Sequence, residues 1–400
     1  MKILHTADWH LGKKLDRFSR FEEQQKVMSE IIEIADEHKV DLVLVAGDLF
    51  DHFNPTVEAM DLFYQTLVKL SKNGERPLIA IAGNHDSPAL IDTPNSLARA
   101  NGIILIGQPK AVVQKFELAH FKITHSDEGF LEIQLKNQNF PVRLLHTAYA
   151  NEVRLKQYLG ENKETALNTV LSEHWQKLTH QYCDEKGVNL LLSHLYMNVR
   201  GKTLLEEPDS EKPIKIGNAD LIYSESIPKQ IQYTALGHLH EFNNIGTDER
   251  PIVYSSSILN YSFSEAGQQK YVVILEAEPD KEVKFEKIPL KNGRKLERVS
   301  FTNVEEAAIW LKENPNSLVE LTLETEEFLK AEERQKIFQS HDGIIHLIPK
   351  IKPSDIRSNK QEKINLSLNE KELFRLFFQS KKGQEPNDEL MDLLNEILSE

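Results

Sequence analysis

The sequence is poor in cysteine and has no long apolar run. Its 400 residues include a single cysteine, Cys183, which excludes an intrachain disulfide and a thiolate metal site and is typical of a reducing cytoplasm. No apolar stretch approaches the roughly 20 residues that a membrane span needs. No long apolar segment follows Met1 and Lys2, as one would in a signal peptide. We therefore predict a cytoplasmic protein that does not enter a membrane.

Positive charge is also scarce. The formal net charge is −14, whereas a protein that binds nucleic acid by itself usually carries a basic surface that neutralises phosphates. The densest basic stretch, residues 281–298, holds seven Lys or Arg against three Glu. A solvated strand face explains this stretch slightly better than a DNA contact does. The acidic balance therefore counts mildly against strong DNA binding by this chain alone, unless metal ions or a partner supply positive charge.

The chain does contain an alternation of apolar strands and amphipathic helices up to about residue 275. The runs 42–46 and 78–82 are continuously apolar, as expected of strands covered on both faces. This pattern predicts an α/β fold, a two-sheet sandwich flanked by helices. Because 400 residues are too many for one compact core, we place a first domain at 1–278 and a small α+β capping domain at 279–350.

The remaining residues are predicted to form a polar linker at 351–367 and two short apolar helices within 368–400. These helices either dock on a partner or pack back on their own domain. The polar linker before these helices favours docking on a partner over packing on their own domain.

Metal-ligand residues follow five of the predicted strands. Asp, Asn and His bind divalent manganese, zinc or iron, and strand ends are where α/β folds place their sites. Each motif alone is weak, since a D-x-H pair is common and a lone histidine more often lies in a core. Their joint occurrence in order predicts a dinuclear metal centre. The motifs are Asp8-Trp9-His10, Gly47-Asp48, Gly83-Asn84-His85-Asp86, His194 and Gly237-His238-Leu239-His240.

In this order the motifs resemble those of the calcineurin-like metallophosphoesterases: D-x-H, G-D-x-x-D, G-N-H-[D/E], H and G-H-x-H. Within that superfamily the chain is similar to the SbcD family of bacterial nuclease subunits, which are related to the meiotic-recombination-eleven nucleases. The similarity covers nearly the whole chain, including a stretch, Tyr261–Gly267, that a generic phosphatase would not need. The stretches that carry it most clearly are His5–Gly12, Val45–Asp51, Ile81–Ser87 and Tyr261–Gly267.

The resemblance implies two divalent ions, with manganese favoured and iron or zinc also compatible. One ion would be held by Asp8, His10, Asp48 and His240, and the other by Asp48, Asn84, His194 and His238, so that Asp48 bridges them. His85 would protonate the leaving oxygen or stabilise the transition state. Asp51 and Asp86 are both candidates to orient His85, and the sequence does not choose between them. Asp51 is explained equally well as a turn or cap residue.

The resemblance further implies a homodimer through helices near 20–37 and 56–71, although burial against the sheet explains the apolar residues there equally well. It implies that an SbcC-type ABC ATPase binds residues 368–400. The expected function is a manganese-dependent DNA exonuclease and endonuclease acting at ends and hairpins.

Two alternatives to this function stay open. A phosphoesterase acting on a phosphoprotein or cyclic nucleotide would have no use for the C-terminal regions. A non-catalytic scaffold that tethers the ATPase to DNA would be favoured by a degenerated ligand set, and no ligand position is substituted.

Overall fold

A computed structural model describes residues 1–160, 163–207, 221–325, 329–351, 370–382, 386, 390, 391, 394 and 398. The chain divides into two compact units, the first made of Met1–Glu324 with Leu329–Lys350 and the second of Thr325–Phe328 with Ile351–Glu400. Within the described ranges, every helix is too short or too polar to cross a membrane.

The strands and helices of the described residues are as follows. The strands are β1 (Lys2–Thr6), β2 (Lys14–Leu15), β3 (Phe18–Ser19), β4 (Leu42–Ala46), β5 (Leu78–Ile81), β6 (Ile103–Ile106), β7 (Phe121–Asp127), β8 (Phe130–Leu135), β9 (Val142–Thr147), β10 (Val188–His194), β11 (Met197–Asn198), β12 (Ile222–Tyr223), β13 (Tyr233–Gly237), β14 (Asn243–Asn244), β15 (Ile252–Tyr254), β16 (Tyr271–Glu276), β17 (Lys284–Pro289), β18 (Lys295–Phe301), β19 (Ser317–Thr325) and β20 (Ile344–Ile351). The α-helices are α1 (Phe21–Glu37), α2 (Val57–Leu70), α3 (Pro88–Asp92), α4 (Asn95–Ala100), α5 (Glu152–Leu155), α6 (Lys163–Tyr182), α7 (Val304–Glu313), α8 (Ala331–Ser340) and α9 (Glu370–Lys382).

Two large sheets form the body of the first unit. One has the strand order β17-β16-β1-β4-β5-β6 and the other β14-β15-β13-β10-β9-β8-β7. The strands β1, β4, β5 and β6 run parallel in the first sheet, and β9, β10, β13 and β15 run parallel in the second. Parallel strands are joined by crossovers that place helices on the sheet faces, which confirms the predicted fold class.

The core lies between the two sheets and beneath the helices. One apolar cluster joins residues of both sheets with buried side chains of α1 and α2, such as Val27, Ile31 and Phe63. A second cluster joins the outer face of the second sheet with α6 through Leu171 and Trp175. Alternate residues of β9 therefore face different clusters, Leu144 the first and Leu145 the second, as the two-residue repeat of a strand requires.

The small sheet of the C-terminal part has the order β18-β19-β20 and covers its own core with α7 and α8. Asn303 caps α7, accepting a hydrogen bond from the backbone N–H of Glu305. The strand β17 pairs antiparallel with β16 in the first large sheet. The predicted boundary between residues 278 and 279 therefore falls in the turn between two paired strands.

The predicted docking helices belong to the second unit. The helix α9 covers the first of them. The linker 351–367 and most of the second helix, including Ile397, lie outside the described residues, apart from Ile351 at the end of β20.

Candidate metal centre

The predicted ligands lie where parallel strands of both large sheets end. Asp8, Asp48 and Asn84 follow β1, β4 and β5 of the first sheet, whereas His194 ends β10 and His238 follows β13 of the second. The two sheets also touch through ligand residues, since the Nδ1 of His194 lies 2.8 Å from the backbone oxygen of Ala46 on β4. The order of motifs along the chain thus becomes a cluster in space at one edge of the sandwich.

Backbone hydrogen bonds fix the first two ligand loops to each other. The N–H of Asp8 donates to the oxygen of Gly47 at 3.0 Å, and the N–H of His10 donates to that of Asp48 at 2.9 Å. Asp8, His10, Asp48 and His238 have positive φ angles of 51°, 43°, 48° and 100°. Such conformations cost roughly 1–3 kcal/mol each and persist where the surroundings over-determine them. Four of the predicted ligands therefore have strained backbones, although other described residues outside the site do as well.

Two motif glycines permit the close approach of these loops. A Cβ on Gly83 would overlap the backbone nitrogen and carboxylate of Asp48, and one on Gly237 would overlap the backbone oxygen of Ala46. Any side chain at either position would push the sheets or loops apart. These glycines therefore set the distances between ligands.

Asp8, His10 and His240 form one group of buried donors. Their ligand atoms all lie within 4.8 Å of one another, and the Nε2 atoms of His10 and His240 are 3.0 Å apart. The Oδ2 atom of Asp8 is buried, and no hydrogen-bond donor among the described residues reaches it. Burial raises the pKa of Asp8 to about 7, although the charges of His194 and His240 oppose the rise. A buried carboxylate oxygen without a donor is suited to a cation.

Asn84, His194 and His238 form a second group. The Oδ1 of Asn84 lies 2.9 Å from the Nε2 of His194 and 3.0 Å from the Nδ1 of His238. Burial alone would lower the pKa of His194, but the carboxylates of Asp48 and Asp8 raise it to about 9. An amide oxygen and two ring nitrogens thus converge on one point.

Asp48 lies between the two groups. Its Oδ2 is 3.6 Å from the Nε2 of His10 and 3.3 Å from the Nε2 of His194, while its Oδ1 accepts a hydrogen bond of 2.9 Å from the backbone N–H of His85. A carboxylate in this position reaches both groups at once. The set of carboxylate, amide and imidazole donors fits two divalent cations that share Asp48.

Asp51 and His85 meet beside the first group. The Nδ1 of His85 lies 2.9 Å from the backbone oxygen of Asp51. The carboxylate of Asp51 is 2.8 Å from the Nζ of Lys13 and 3.8 Å from the Nδ1 of His10. Asp51 therefore reaches His85 through its main chain, while its side chain pairs with Lys13.

Asp86 connects two of the ligand loops. Its carboxylate accepts hydrogen bonds from the backbone N–H groups of Leu49, Phe50 and Gly83 at 3.0, 2.9 and 2.8 Å. Burial and the charge of Asp48 raise the pKa of Asp86 to about 6, against the effect of these hydrogen bonds. The contacts of Asp86 fix the loop that carries Asn84 and His85 to the loop that carries Asp48.

Sequence reasoning missed three residues that support the ligands. Glu207 lies 2.8 Å from the Nε2 of His238, and Glu265 lies 3.2 Å from the Nδ1 of His240. Arg154 donates to the backbone oxygens of Gly83 and Asp86 at 2.7 and 2.8 Å. Glu265 belongs to the stretch Tyr261–Gly267 that the sequence singled out without a role. No sequence signal marks Glu207 or Arg154.

The pKa of the Glu265 carboxyl group lies well below its ordinary value. Burial alone would raise the pKa of its carboxyl group, but Lys270 and His240 lower it to about 2. Glu265 is therefore charged, and it accepts hydrogen bonds without donating any.

Comparisons with known proteins agree with this geometry. A family model described as calcineurin-like phosphoesterase matches residues 1–242. The SbcD subunit of the SbcCD nuclease from Bacillus subtilis (strain 168) is 33% identical over 408 aligned residues, which cover 100% of this chain and 98% of the relative. The protein of the same name from Staphylococcus epidermidis is 30% identical over 302 residues, covering 74% of this chain and 71% of the relative.

A solved structure, a dimetal phosphatase from Danio rerio, has 12% identity and a TM-score of 0.37, covering 73% of this chain and 99% of that chain. This likeness is too low to support an argument about the fold. The family model and the full-length relative suffice without it, and this protein belongs to the calcineurin-like phosphoesterase family, together with the SbcD subunits of SbcCD nucleases.

Proposed function

We propose that this protein is the nuclease subunit of an SbcCD-type complex and hydrolyses phosphodiester bonds of DNA with two divalent ions, manganese being favoured. The observation that carries the proposal is the convergence of the ligand residues around Asp48, in a chain related over its full length to an SbcD nuclease subunit. When bound, such ions lower the pKa of a nucleophilic water and offset charge on the phosphoryl oxygens.

The residues would divide the work between two positions. Asp8, His10 and His240 would hold one ion, and Asn84, His194 and His238 would hold the other. Asp48 contributes to both, since it lies within 3.6 Å of His10 and 3.3 Å of His194. A shared anion would offset the repulsion between two neighbouring cations.

His85 would act on the leaving group. The backbone oxygen of Asp51 can only accept, so the Nδ1 of His85 carries a proton and donates it there. A proton on the Nε2 of the same ring would be transferred to the departing sugar oxygen. The ring is half-buried beside the donors, within reach of a bound phosphodiester. Asp51 orients the ring through its main chain, and Asp86 supports the loop beneath it.

The basic stretch 281–298 supports a reading in which a partner supplies much of the charge for DNA. Lys281 pairs with Glu278, and Arg294 and Arg298 pair with Glu23 and Glu320. Lys287 lies 4.6 Å from the centre of the Phe242 ring. Since four of the seven cations of this stretch already have partners within the chain, we expect the ATPase to provide most of the phosphate contacts.

An SbcC-type ATPase is proposed to bind through residues 368–400. The helix α9 carries Leu373, Phe374 and Phe377, and the side chain of Phe377 is 57% exposed. An amphipathic helix with an accessible aromatic residue suits insertion into a groove of a partner.

The homodimer is proposed to use the parts of α1 and α2 that the fold leaves accessible. Met28, Ile31 and Leu67 are buried in the core of the chain itself, whereas Ile32, Met60 and Tyr64 are only partly buried. The second three are therefore the better candidates for contacts between copies. Action at DNA ends and hairpins and a cytoplasmic location complete the proposal.

The direct test is cleavage of labelled linear and hairpin DNA with Mn²⁺, with and without the cognate ATPase and ATP. In His85→Ala, turnover should fall roughly 10²- to 10⁴-fold, the usual contribution of a positioned acid, with metal content unchanged. His120→Ala, which alters an exposed histidine before β7, is the matched control and should cleave normally. Turnover of a phosphopeptide or cyclic dinucleotide without any DNA cleavage would contradict the nuclease assignment.

Deletion of residues 368–400 tests the docking surface. The truncated chain should keep its metal content and lose binding to the ATPase, as measured by co-purification and light scattering. Phe377→Asp should weaken binding strongly, and Lys371→Ala, which alters an exposed position of the same helix, should not. Full binding by the truncated chain would place the partner surface elsewhere.

A further inference from the structure

A buried ion pair lies directly behind His240. The side chains of Glu265 and Lys270 are only 2% and 6% exposed, with Oε2 and Nζ 2.7 Å apart. The Nζ of Lys270 also donates to the backbone oxygen of His240 at 2.8 Å and to Oε1 of Gln268 at 3.0 Å. The pair therefore touches His240 at its main chain as well as at its ring.

The ring contact fixes which nitrogen of His240 carries the proton. The Oε1 of Glu265 lies 3.2 Å from the Nδ1 of His240, and a carboxylate can only accept. The Nδ1 is therefore protonated, and the lone pair resides on Nε2. That atom points toward His10, whose Nε2 is 3.0 Å away.

Stability alone does not explain this arrangement. Removing two charges from water costs several kcal/mol per ion, and apolar replacements of buried pairs are often at least as stable. Metal-binding histidines, in contrast, usually donate their second ring N–H to a carboxylate or carbonyl, which sets the tautomer and raises the basicity of the ligand. The position of Glu265 beside the Nδ1 of His240 is that of a carboxylate which orients a metal-binding histidine.

The segment that holds Glu265 is anchored at a distance from the donors. Phe263 packs in one apolar cluster with Leu15, Leu296 and Leu318. Leu15 belongs to the hairpin β2–β3 and the other two residues to the small sheet, so both elements contact this segment. The N–H of Tyr261 also donates to Oε1 of Glu265 at 3.2 Å. Lys270, the ring of His240 and the backbone N–H of Tyr261 therefore all contact the carboxylate of Glu265.

We propose that Glu265, held by Lys270, is a positioning residue that fixes the tautomer and orientation of His240 and thereby sets the affinity of the Asp8, His10 and His240 group for its cation. The inference rests on the proposed function, in which His240 is a ligand. It assigns a role to the Tyr261–Gly267 stretch that the ligand motifs do not provide.

The test is titration of Mn²⁺ into metal-free Glu265→Gln, followed by calorimetry and by electron paramagnetic resonance. Affinity at one of two positions should fall roughly 10- to 100-fold, the usual cost of losing such a partner. The resonance signal should change from that of a coupled pair to that of a single ion. Glu241→Gln removes an exposed charge next to His240 in sequence and should bind as wild type does.

Two further measurements keep the inference open to refutation. Glu265→Asp retains the charge that Lys270 needs but withdraws the carboxylate from the ring, so it should show the same loss with a normal melting temperature. Nitrogen-15 resonances of the metal-free wild-type protein should show His240 protonated at Nδ1, whatever the variants do. Wild-type Mn²⁺ binding by both folded variants, or a neutral ring with its proton on Nε2 and none on Nδ1, would overturn the inference.

The role of Glu265 and the nuclease assignment can be refuted independently of each other. A wild-type protein that binds two ions without cutting DNA, while Glu265→Gln loses one, would refute the proposed function and leave the role of Glu265 intact. A wild-type protein that cuts DNA, with Glu265→Gln keeping both ions, would refute only the role of Glu265.

Discussion

The two sides of the candidate metal centre are built differently. On the side of Asp8, His10 and His240, all three residues are at most 1% exposed, and a buried carboxylate with its own lysine stands behind the last of them. On the side of Asn84, His194 and His238, the two histidines are also buried, at 0% and 5% exposed, but Asn84 is only half-buried. The carboxylate behind His238 belongs to Glu207, whose side chain is 23% exposed.

Because the two sides differ in burial, we expect them to bind their ions with different affinities. Buried, pre-organised donors lose little freedom when they bind a cation, and charges interact more strongly in a water-poor environment. We therefore expect the enclosed side to bind its ion tightly and the open side to exchange its ion and admit the substrate. Asp48 joins the fully buried side to the side that is partly exposed at Asn84 and Glu207.

The largest expected effect comes from Asp48→Asn, which removes the residue that both sides share. Both ions should be lost or greatly weakened, and DNA cleavage should fall by more than the roughly 10- to 100-fold that an outer partner costs. Calorimetric titration with Mn²⁺ measures the loss directly. If one side kept full affinity in this variant, the two halves would not depend on a shared carboxylate.

A smaller effect is expected from Glu207→Gln, which alters only the open side. Its carboxylate lies 2.8 Å from the Nε2 of His238, so the affinity for the more weakly held ion should drop, by roughly 10-fold because the contact is partly exposed. Titration of the two variants side by side sharpens the comparison, since Glu265→Gln should weaken the other ion. Identical titration curves for the two would show that the sides are not distinct.

The smallest effect concerns His346, which lies outside the centre and contacts Asp16 and Glu320. Burial opposes its charge, but these carboxylates raise the pKa of His346 above its ordinary value of 6.5. The folded pKa exceeds the unfolded one, so the stabilisation is present below about pH 6.5 and is lost as pH rises through the folded pKa.

In His346→Gln the melting temperature should therefore vary less across this pH range, while Mn²⁺ affinity stays the same. A matched set of melting curves from pH 5.5 to about 8.5 measures the difference. A changed Mn²⁺ affinity would show that the small sheet influences the centre, with a route through Phe263, whose ring centre lies 5.5 Å from that of His346.

The sequence alone could predict which residues gather at one edge of the sandwich, because each motif follows a strand and their order is distinctive. It could not predict the supporting residues, since Glu207 and Arg154 are isolated polar residues whose partners are distant in the chain. Glu265 lay in a recognised stretch, yet only the fold shows that it reaches His240. The side chains of Asp51 and Asp86 could not be separated by sequence, because their difference lies in which backbone groups they meet.

The organisation after residue 278 shows a similar limit. The sequence pattern places a domain boundary between residues 278 and 279, and the structure has a turn at Pro279 and Asp280 between the paired strands β16 and β17. Asp280 has a positive φ of 54°, a conformation common in turns. A turn inside a sheet and a turn between two domains contain the same types of residue. The two can be distinguished only when the pairing of the flanking strands is known.

The most direct test of the account is the number of Mn²⁺ ions that the metal-free wild-type chain binds, and their separate affinities, by calorimetric titration. The account predicts two ions with unequal affinities, the tighter one sensitive to Glu265 and the weaker one to Glu207. Binding of a single ion, or of none, would contradict a dinuclear centre built around Asp48.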